Sequence, residues 1–517
     1  MIAWRSLLSL GRLLGGLSVV AVLAAAWCAI LWWWIAPDFK AWSIAQLIAV
    51  HVVPPLLAWF VWLYGRKYRR DRLAAVAAGR ETALAKDRQE KLEAARRVHG
   101  AELQRLHFAC DCRALALTYV IVAEEGEEPL VPDGDGVYFN TYDTDVPLDT
   151  DVDDTSTLAH LRPGIEEALD TIYGRCPAAT AFPIYCVMPP DAFGEQVMTT
   201  LREIQAKSIA ELGLPPRPLS EFGRVLLLPA SVSVADSLIG LFESSPDLPG
   251  AVVVAFDSPW WRHQLAQEQV YDDESESALK VERRKWIGQP GQGVFALLVT
   301  HPQLSEMLAG LPRATRSHDV MTPYWEKDLA KAARYALLAG LPDDERDGLE
   351  QCAPLARIHR AIAAPITGSG ASRRPSTQSI GALVERAQIQ AGLIDLPFDS
   401  PEGEDAAKTP APSESRDDKA AHECRWLVHN AGGVDRSGKR LAALSLALVE
   451  RGLDVDPIEM ATNLVVRAGD FGQARGVGLL AVTVARAASG DGPVLCAEFG
   501  SDDSLALFFV TPAEDAA

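Results

Sequence analysis

Several features that would mark a nucleic-acid binder, a disulfide-stapled protein or a standard enzyme are missing from this chain. Positive charge is in deficit, with 49 Lys and Arg against 69 Asp and Glu and a net charge of −20. A protein that tracks phosphates needs a basic face, and the basic residues here gather beside the N-terminal apolar segments instead. No nucleic acid is therefore expected as a partner. Cysteine is sparse and scattered, at 28, 110, 112, 176, 186, 352, 424 and 496, which implies no disulfide framework in a body expected to be cytosolic. No GxSxG elbow, Walker A loop, HExxH or dinucleotide GxGxxG occurs after the apolar segments, so the chemistries tied to those motifs have no foothold. His107, Cys110 and Cys112 are three soft ligands close together, but no second ligand pair follows at zinc spacing. Neither a metal nor a cofactor is expected.

What the chain has in abundance is apolar sequence at its start. Residues 17–36 and 41–64 are two apolar stretches separated by a short loop. At a rise of about 1.5 Å per residue each is long enough to cross a hydrocarbon core of about 30 Å. Arg5 and Arg12 precede the first stretch, and Arg66, Lys67, Arg69, Arg70 and Arg72 follow the second; the loop between holds Asp38 and Lys40. Lys and Arg remain on the cytoplasmic side, and tryptophans such as Trp32, Trp33, Trp34 and Trp42 favour the headgroup layer. The expectation is a multi-pass, two-span hairpin in a bacterial inner membrane, with both termini and everything after Gly65 cytoplasmic. His51 lies beside Pro54 and Pro55 in the second stretch, where its expected role is to bond a carbonyl or face the other helix.

From Gly65 to about Phe108 the residues are helix formers without proline, which predicts a helical stalk over 65–108. Short apolar runs then alternate with helical periods. Strands are expected over 114–123, 182–188, 224–230, 251–257 and 293–300, and helices near 161–173, 192–212 and 233–243. This alternation predicts an α/β soluble body over 109–365. The runs at 224, 251 and 293 are continuously apolar, as in strands covered on both faces. Residues 366–420 read as flexible linkers with a short helix. The tail, 421–517, reads as a C-terminal α/β segment packing with the body: a strand at RWLVHN, helices near 439–451 and 472–488, and a hairpin joined by GSDDS.

Two features suggest a contact surface. Twelve acidic residues fall between Glu124 and Asp154. They lack the ligand order and closing Glu of an EF-hand loop, so the run reads as a solvated loop or, ahead of a calcium site that stays an alternative, as a contact surface for a basic protein partner. Its candidate residues are Asp143, Asp145, Asp149, Asp151, Asp153 and Asp154. Trp260 and Trp261 follow a strand end, where aromatics serve either as core or as exposed binding anchors.

Two resemblances add to these expectations. NAGGVDRSGKRLAAL (430–444), ATNLVVRAGDFGQARG (461–476) and PVLCAEFGSDDSLALFFV (493–510) resemble, in order and rhythm, the C-terminal half of ketosynthase and thiolase proteins. This implies a thiolase-like, degenerate fold and, as an alternative function, a lipid-metabolism condensing enzyme. Such enzymes need a cysteine nucleophile on a strained turn with histidines aimed at it. No histidine adjoins GDFG at 469–472, and no cysteine sits in a small-residue strand-to-helix elbow. No catalytic residue is therefore assigned.

More broadly, the membrane-anchored N-terminus, LIGLFESSPDLPGAVVVAFDSP (238–259), VFALLVTHPQ (294–303) and the tail resemble the bacterial type VI secretion lipase-adapter family. Phe242, Pro246, Asp247, Pro249, Asp257 and Ser258 carry the likeness, although turn and capping roles also explain each. The resemblance implies a non-enzymatic adapter that binds a secreted phospholipase-type effector and helps load it onto a secretion spike protein.

Overall fold

The computed structural model describes residues 18–19, 21–34, 42–119, 130–131, 136–141, 156–214, 224–268, 288–309, 311, 331, 334–365, 376–398, 424–490, 492–500 and 504–513. The chain divides into two compact units, one over Met1–Val98 with Asp399–Ala406, the other over His99–Phe398 with Ala407–Ala517.

In the first unit the apolar stretches form helix α1 (Ala21–Trp34) and the start of helix α2 (Ile44–Leu106), which continues without a break through the expected stalk. Of the described helices, only α2 is long and apolar enough to cross a membrane; α1 reaches about 20 Å at the helical rise. Among the described residues one helix is thus long and apolar enough to span, where two were expected. Pro54 has no N–H to offer Val50, its partner four residues back, and the indole of Trp27 donates to the Val50 carbonyl instead (2.7 Å). His51 Nδ1 bonds the Leu47 carbonyl (2.8 Å). That histidine therefore completes the backbone beside the prolines, one of its two expected roles.

The second unit is built twice over from one pattern. The first repeat runs β1 (Cys110–Tyr119), α3 (Thr157–Arg175), β3 (Ile184–Val187), α4 (Gly194–Glu211), β4 (Val225–Leu227), α5 (Val234–Ser244), β5 (Gly250–Asp257) and β6 (Gly293–Thr300). The second runs β7 (Ala356–Ile358), α8 (Thr377–Gln390), β9 (Trp426–His429), α9 (Val434–Glu450), β10 (Ala461–Asn463), α10 (Arg475–Ala488), β11 (Val494–Phe499) and β12 (Ser504–Pro512). Two further helices are α6 (Pro259–Glu268) and α7 (Asp343–Gln351), and two further strands are β2 (Val137–Thr141) beside β1 and β8 (Ile362–Pro365) beside β12.

Across the sheet the order is β10-β9-β11-β12-β7-β1-β6-β5-β3-β4. Numbered within each repeat, both halves read 3-2-4-5-1, and in both the fifth strand is antiparallel to its neighbours. The first strands, β1 and β7, pair antiparallel at the centre. That relation is what a pseudo-twofold axis between the halves requires.

Period-two alternation divides each strand between two cores. In the first repeat Ala114, Ala116, Val252, Val254, Ala296 and Leu298 face α3 and α4, while Leu115, Leu117, Val253, Phe295 and Leu297 face α5 and α10. In the second repeat Leu427, Leu495, Ala497, Leu505 and Leu507 face α8 and α9, while Val428, Cys496, Phe508 and Val510 join the central core. One face of the sheet therefore carries α5 and α10, and the other carries α3 and α4 in the first half and α8 and α9 in the second. α10 is central, with every residue from Val477 to Ala487 buried. Its Gly478 admits the ring of Phe295, which a Cβ there would meet at 2.9 Å. A fully buried side chain of this kind contributes about 1.5–3 kcal/mol.

The expected strands and helices of the α/β body are present, with three differences. β4 is an edge strand whose Leu226 and Leu227 are exposed, not a strand covered on both faces. The second repeat starts at β7, so its first strand falls within the span assigned to the first α/β domain. Finally, α8 falls inside the expected linker but is a core helix: Ser376 caps it through Ser379 N–H (3.3 Å), and Ile380, Val384 and Ala387 are buried. It is the counterpart of α3, which Ser156 caps in the same way through Ala159 N–H (3.2 Å).

Candidate functional site

Helix N-termini present unpaired amides and a positive dipole end, and lower the pKa of a thiol placed there. The two central helices begin side by side, so a nucleophile would be best placed at this junction. α5 starts with Ser233, whose hydroxyl accepts from Asp236 N–H (3.2 Å), followed by Val234. α10 starts after a turn in which Asp470 accepts from Gly472 N–H (2.9 Å) and pairs with Arg475 (3.2 Å). Val234 packs directly on Gly476; a Cβ there would lie 2.8 Å from Val234 Cγ2 and 3.2 Å from Glu498 Oε1. Burial raises the pKa of the Glu498 carboxyl, and Arg475 opposes the shift. The junction holds an apolar plug and a carboxylate, and no thiol.

The cysteines lie elsewhere. Cys110 and Cys112 are in β1, Cys186 in β3 and Cys496 in β11, while Cys176 and Cys352 follow the C-terminal ends of α3 and α7. Among the described residues no cysteine is hydrogen-bonded to a histidine, and no cluster of His, Cys, Asp and Glu could hold a metal. Burial raises the pKa of Cys110, Cys112, Cys424 and Cys496. His429 ends β9 fully buried; its Nδ1 accepts from Ala431 N–H (3.2 Å), so Nε2–H donates to the Pro457 carbonyl (3.0 Å). Burial lowers its pKa to about 4. Both nitrogens serve the backbone, leaving neither for acid–base work.

A second polar cluster joins the repeats at the end of β5. Asp257 is fully buried and accepts from Ser258 N–H (2.7 Å), Gln473 N–H (2.8 Å) and Arg262. Burial raises its pKa, and Arg262 is the foremost of the groups that oppose the shift. Gly472 is required here because its φ is +56° and a Cβ would collide with the Asp257 carboxylate. Ser258 caps α6 by accepting from Trp261 N–H (3.0 Å) and donates to Gln292 Oε1 (2.8 Å). The same oxygen accepts from His160 Nε2–H (2.8 Å). The His160 ring stacks on Trp261, with centroids 4.1 Å apart and planes at 4°. Here aspartate, serine and histidine converge, but serine bonds glutamine and not the histidine. The arrangement is a structural joint without a nucleophile–base pair.

Of the residues singled out from the sequence, Trp261 is buried at 8% exposure and Trp260 is half-buried. The pair is therefore not an exposed doublet. Asp143, Asp145, Asp149, Asp151, Asp153 and Asp154 lie outside the described residues. Separately, an open groove of about 670 Å³ beside β2 is lined by Thr118, Asn140 and, from α3, Glu166, Glu167, Asp170 and Thr171. Tyr138 and Asn140 hold Glu167 through bonds of 2.5 and 3.1 Å, while Lys207 and Arg162 pair with Glu166. Phe242 is core, and Asp247 pairs with Arg334 (2.5 Å). Sequence reasoning missed His160, Gln292 and Asp470, which no local motif links.

No family model matches the sequence, and no curated protein matches it. Solved structures with a similar chain path include human mitochondrial 3-ketoacyl-CoA thiolase (8% identity, TM-score 0.38, covering 79% of this chain and 100% of that one). An oxazolomycin ketosynthase domain from Streptomyces albus overlaps at 12% identity and TM-score 0.34, covering 69% of this chain and 81% of that one. Acetamide-bound OleA from Xanthomonas campestris overlaps at 11% identity and TM-score 0.32, covering 70% and 83%. These overlaps are in chain path. The type VI adapter resemblance has no counterpart among them.

Proposed function

We propose that this chain is a membrane-tethered binding protein whose duplicated α/β body does not catalyse acyl condensation. One observation carries this reading: the junction of α5 and α10, where a helix-activated thiol would serve best, is filled by Val234 packed on Gly476. The buried His429, at the end of β9, has both ring nitrogens committed to backbone groups. The partner is a protein with a basic face, read from the groove beside β2, where Glu167 and Asp170 contribute negative charge and Glu166 is already paired with Arg162 and Lys207. The lipase-adapter resemblance refines this to a phospholipase-type effector delivered to a type VI secretion spike. The alternative is a thiolase- or ketosynthase-type enzyme, which would require a working thiol.

The test is recovery of partners from the native host in detergent at graded salt, with mass spectrometry. The adapter reading expects a basic effector whose recovery falls steeply with salt, since the Debye length shrinks from about 10 Å at 0.1 M to about 3 Å at 1 M. Reversing Glu166 and Asp170 to Lys should remove it. Recovery that ignores both changes would place the interface elsewhere, and turnover of an acyl thioester by the pure protein would favour the enzyme.

A further inference from the structure

Helix α9 is apolar on its outer side as well as its inner one. Leu441, Leu444, Ala447 and Leu448 are buried in the core it shares with α8. On the opposite side Ala442, Leu446 and Val449 form a stripe, with Leu446 52% and Val449 61% exposed. A surface helix ordinarily turns polar residues outward, and the duplicated fold supplies a comparison. α4 holds the same place in the first repeat, and its outer side carries Thr199, Arg202, Glu203 and Lys207. Glu203 pairs with Arg162 (3.6 Å) and Lys207 with Glu166 (2.7 Å). The apolar stripe is thus particular to α9 and is not imposed by its position in the fold. Lys439 and Glu450 are exposed just beyond the ends of the stripe, and among the described residues neither has an ion-pair partner.

We infer that α9 docks against α9 of a second copy of this chain, antiparallel, with Leu446 near the twofold axis. The charges select both the occupant and the direction. At about 100° per residue, Lys439 and Glu450 fall on the same flank of the stripe. A twofold axis perpendicular to two antiparallel helices brings like flanks together, whereas a parallel pair sets them on opposite sides of the contact. With the axis near Leu446, Lys439 lies about 10 Å from it along the helix and Glu450 about 6 Å from it in the other direction. Antiparallel pairing therefore brings Lys439 of each copy within side-chain reach of Glu450 of the other, and the same ion pair forms twice. Between the charges, Ala442 of one copy leaves room for Val449 of the other. The contact is isologous, so it closes at two copies. One helix pair buries less than the about 1,200–2,000 Å² of a standard interface, so the pairing is weak and reversible.

The test is self-association of the full-length protein in detergent, measured by sedimentation over a range of concentrations, with a cross-link as the positional readout. Wild type should pass from monomer to dimer as concentration rises. Leu446→Glu alters an exposed residue, leaves the core intact and should weaken the pairing about tenfold or more. Lys439→Glu and Glu450→Lys should each weaken it, and the two together should restore it, because the exchange re-forms both ion pairs. Leu446→Cys, mildly oxidised, should link two copies through position 446, while Ala206→Cys on the exposed side of α4 should not. A protein that stays monomeric, a dimer indifferent to Leu446→Glu, a charge exchange that restores nothing, or a cross-link no stronger at position 446 than at position 206 would each overturn the inference.

Discussion

Val234 at the start of α5 rests on the bare Cα of Gly476 at the start of α10, so the two repeats meet through a methyl group and a missing side chain. Gly476→Ala adds a Cβ within 2.8 Å of Val234 Cγ2, an overpacking that should cost about 1–3 kcal/mol. Val234→Ala in the same chain should recover part of that loss, because the two sites are in contact and will not add independently. Denaturant unfolding of the single and double variants measures both. Equal losses in Gly476→Ala with and without Val234→Ala would show that the contact is not the cause.

Neighbouring tryptophans should separate stability from binding. Trp261 is buried and stacked on His160, so Trp261→Ala should destabilise the body by about 3–5 kcal/mol. Trp260 is half-buried, and Trp260→Ala should cost less in unfolding midpoint while lowering partner recovery at every salt concentration. A Trp260→Ala protein with wild-type recovery would remove it from the interface.

Acid should weaken the fold through its buried neutral histidines. Burial lowers the pKa of His359 to about 3 and that of His429 to about 4, below an ordinary value of about 6.5. Between those values the unfolded chain binds protons that the folded chain does not, so stability is full above about pH 6.5 and falls as pH drops toward 4. Each histidine contributes a slope of about 1.4 kcal/mol per pH unit inside its window. His429→Gln should reduce the slope measured between pH 6 and 4.5 by about one proton's worth. An unchanged slope would mean that His429 is not held neutral.

The long apolar helix α2 offers its own check. Trp27→Phe removes the donor to the Val50 carbonyl that Pro54 leaves unpaired, at a cost of about 1–3 kcal/mol for an orphaned acceptor in an apolar setting. Pro54→Ala restores a backbone donor to that carbonyl and should make the Trp27→Phe change nearly neutral. Thermal aggregation of the detergent-solubilised variants reports the difference.

Why the sequence disclosed some of this and not the rest follows from where the information resides. β5 and β6 were legible because both faces are covered and nearly every residue is apolar. The duplication was not, because β7, β8 and β10 run only ARI, IAAP and ATN, too short for any period to emerge. α8 was legible as a short helix between linkers, but its place in the core was not, because a Gly-, Ser- and Pro-rich run precedes it. Within the candidate site, the Asp257 bond to Gln473 N–H joins residues far apart in the chain, and no local pattern encodes such a meeting.

The most direct test of the central claim is intact-mass analysis of the full-length protein after incubation with acyl thioesters of graded chain length, alongside an assay for condensed product. A body whose central helices meet through Val234 and Gly476 should acquire no acyl group that turns over and should release no product. An acyl adduct on one cysteine that decays with product formation, and disappears when that cysteine is replaced, would contradict the account.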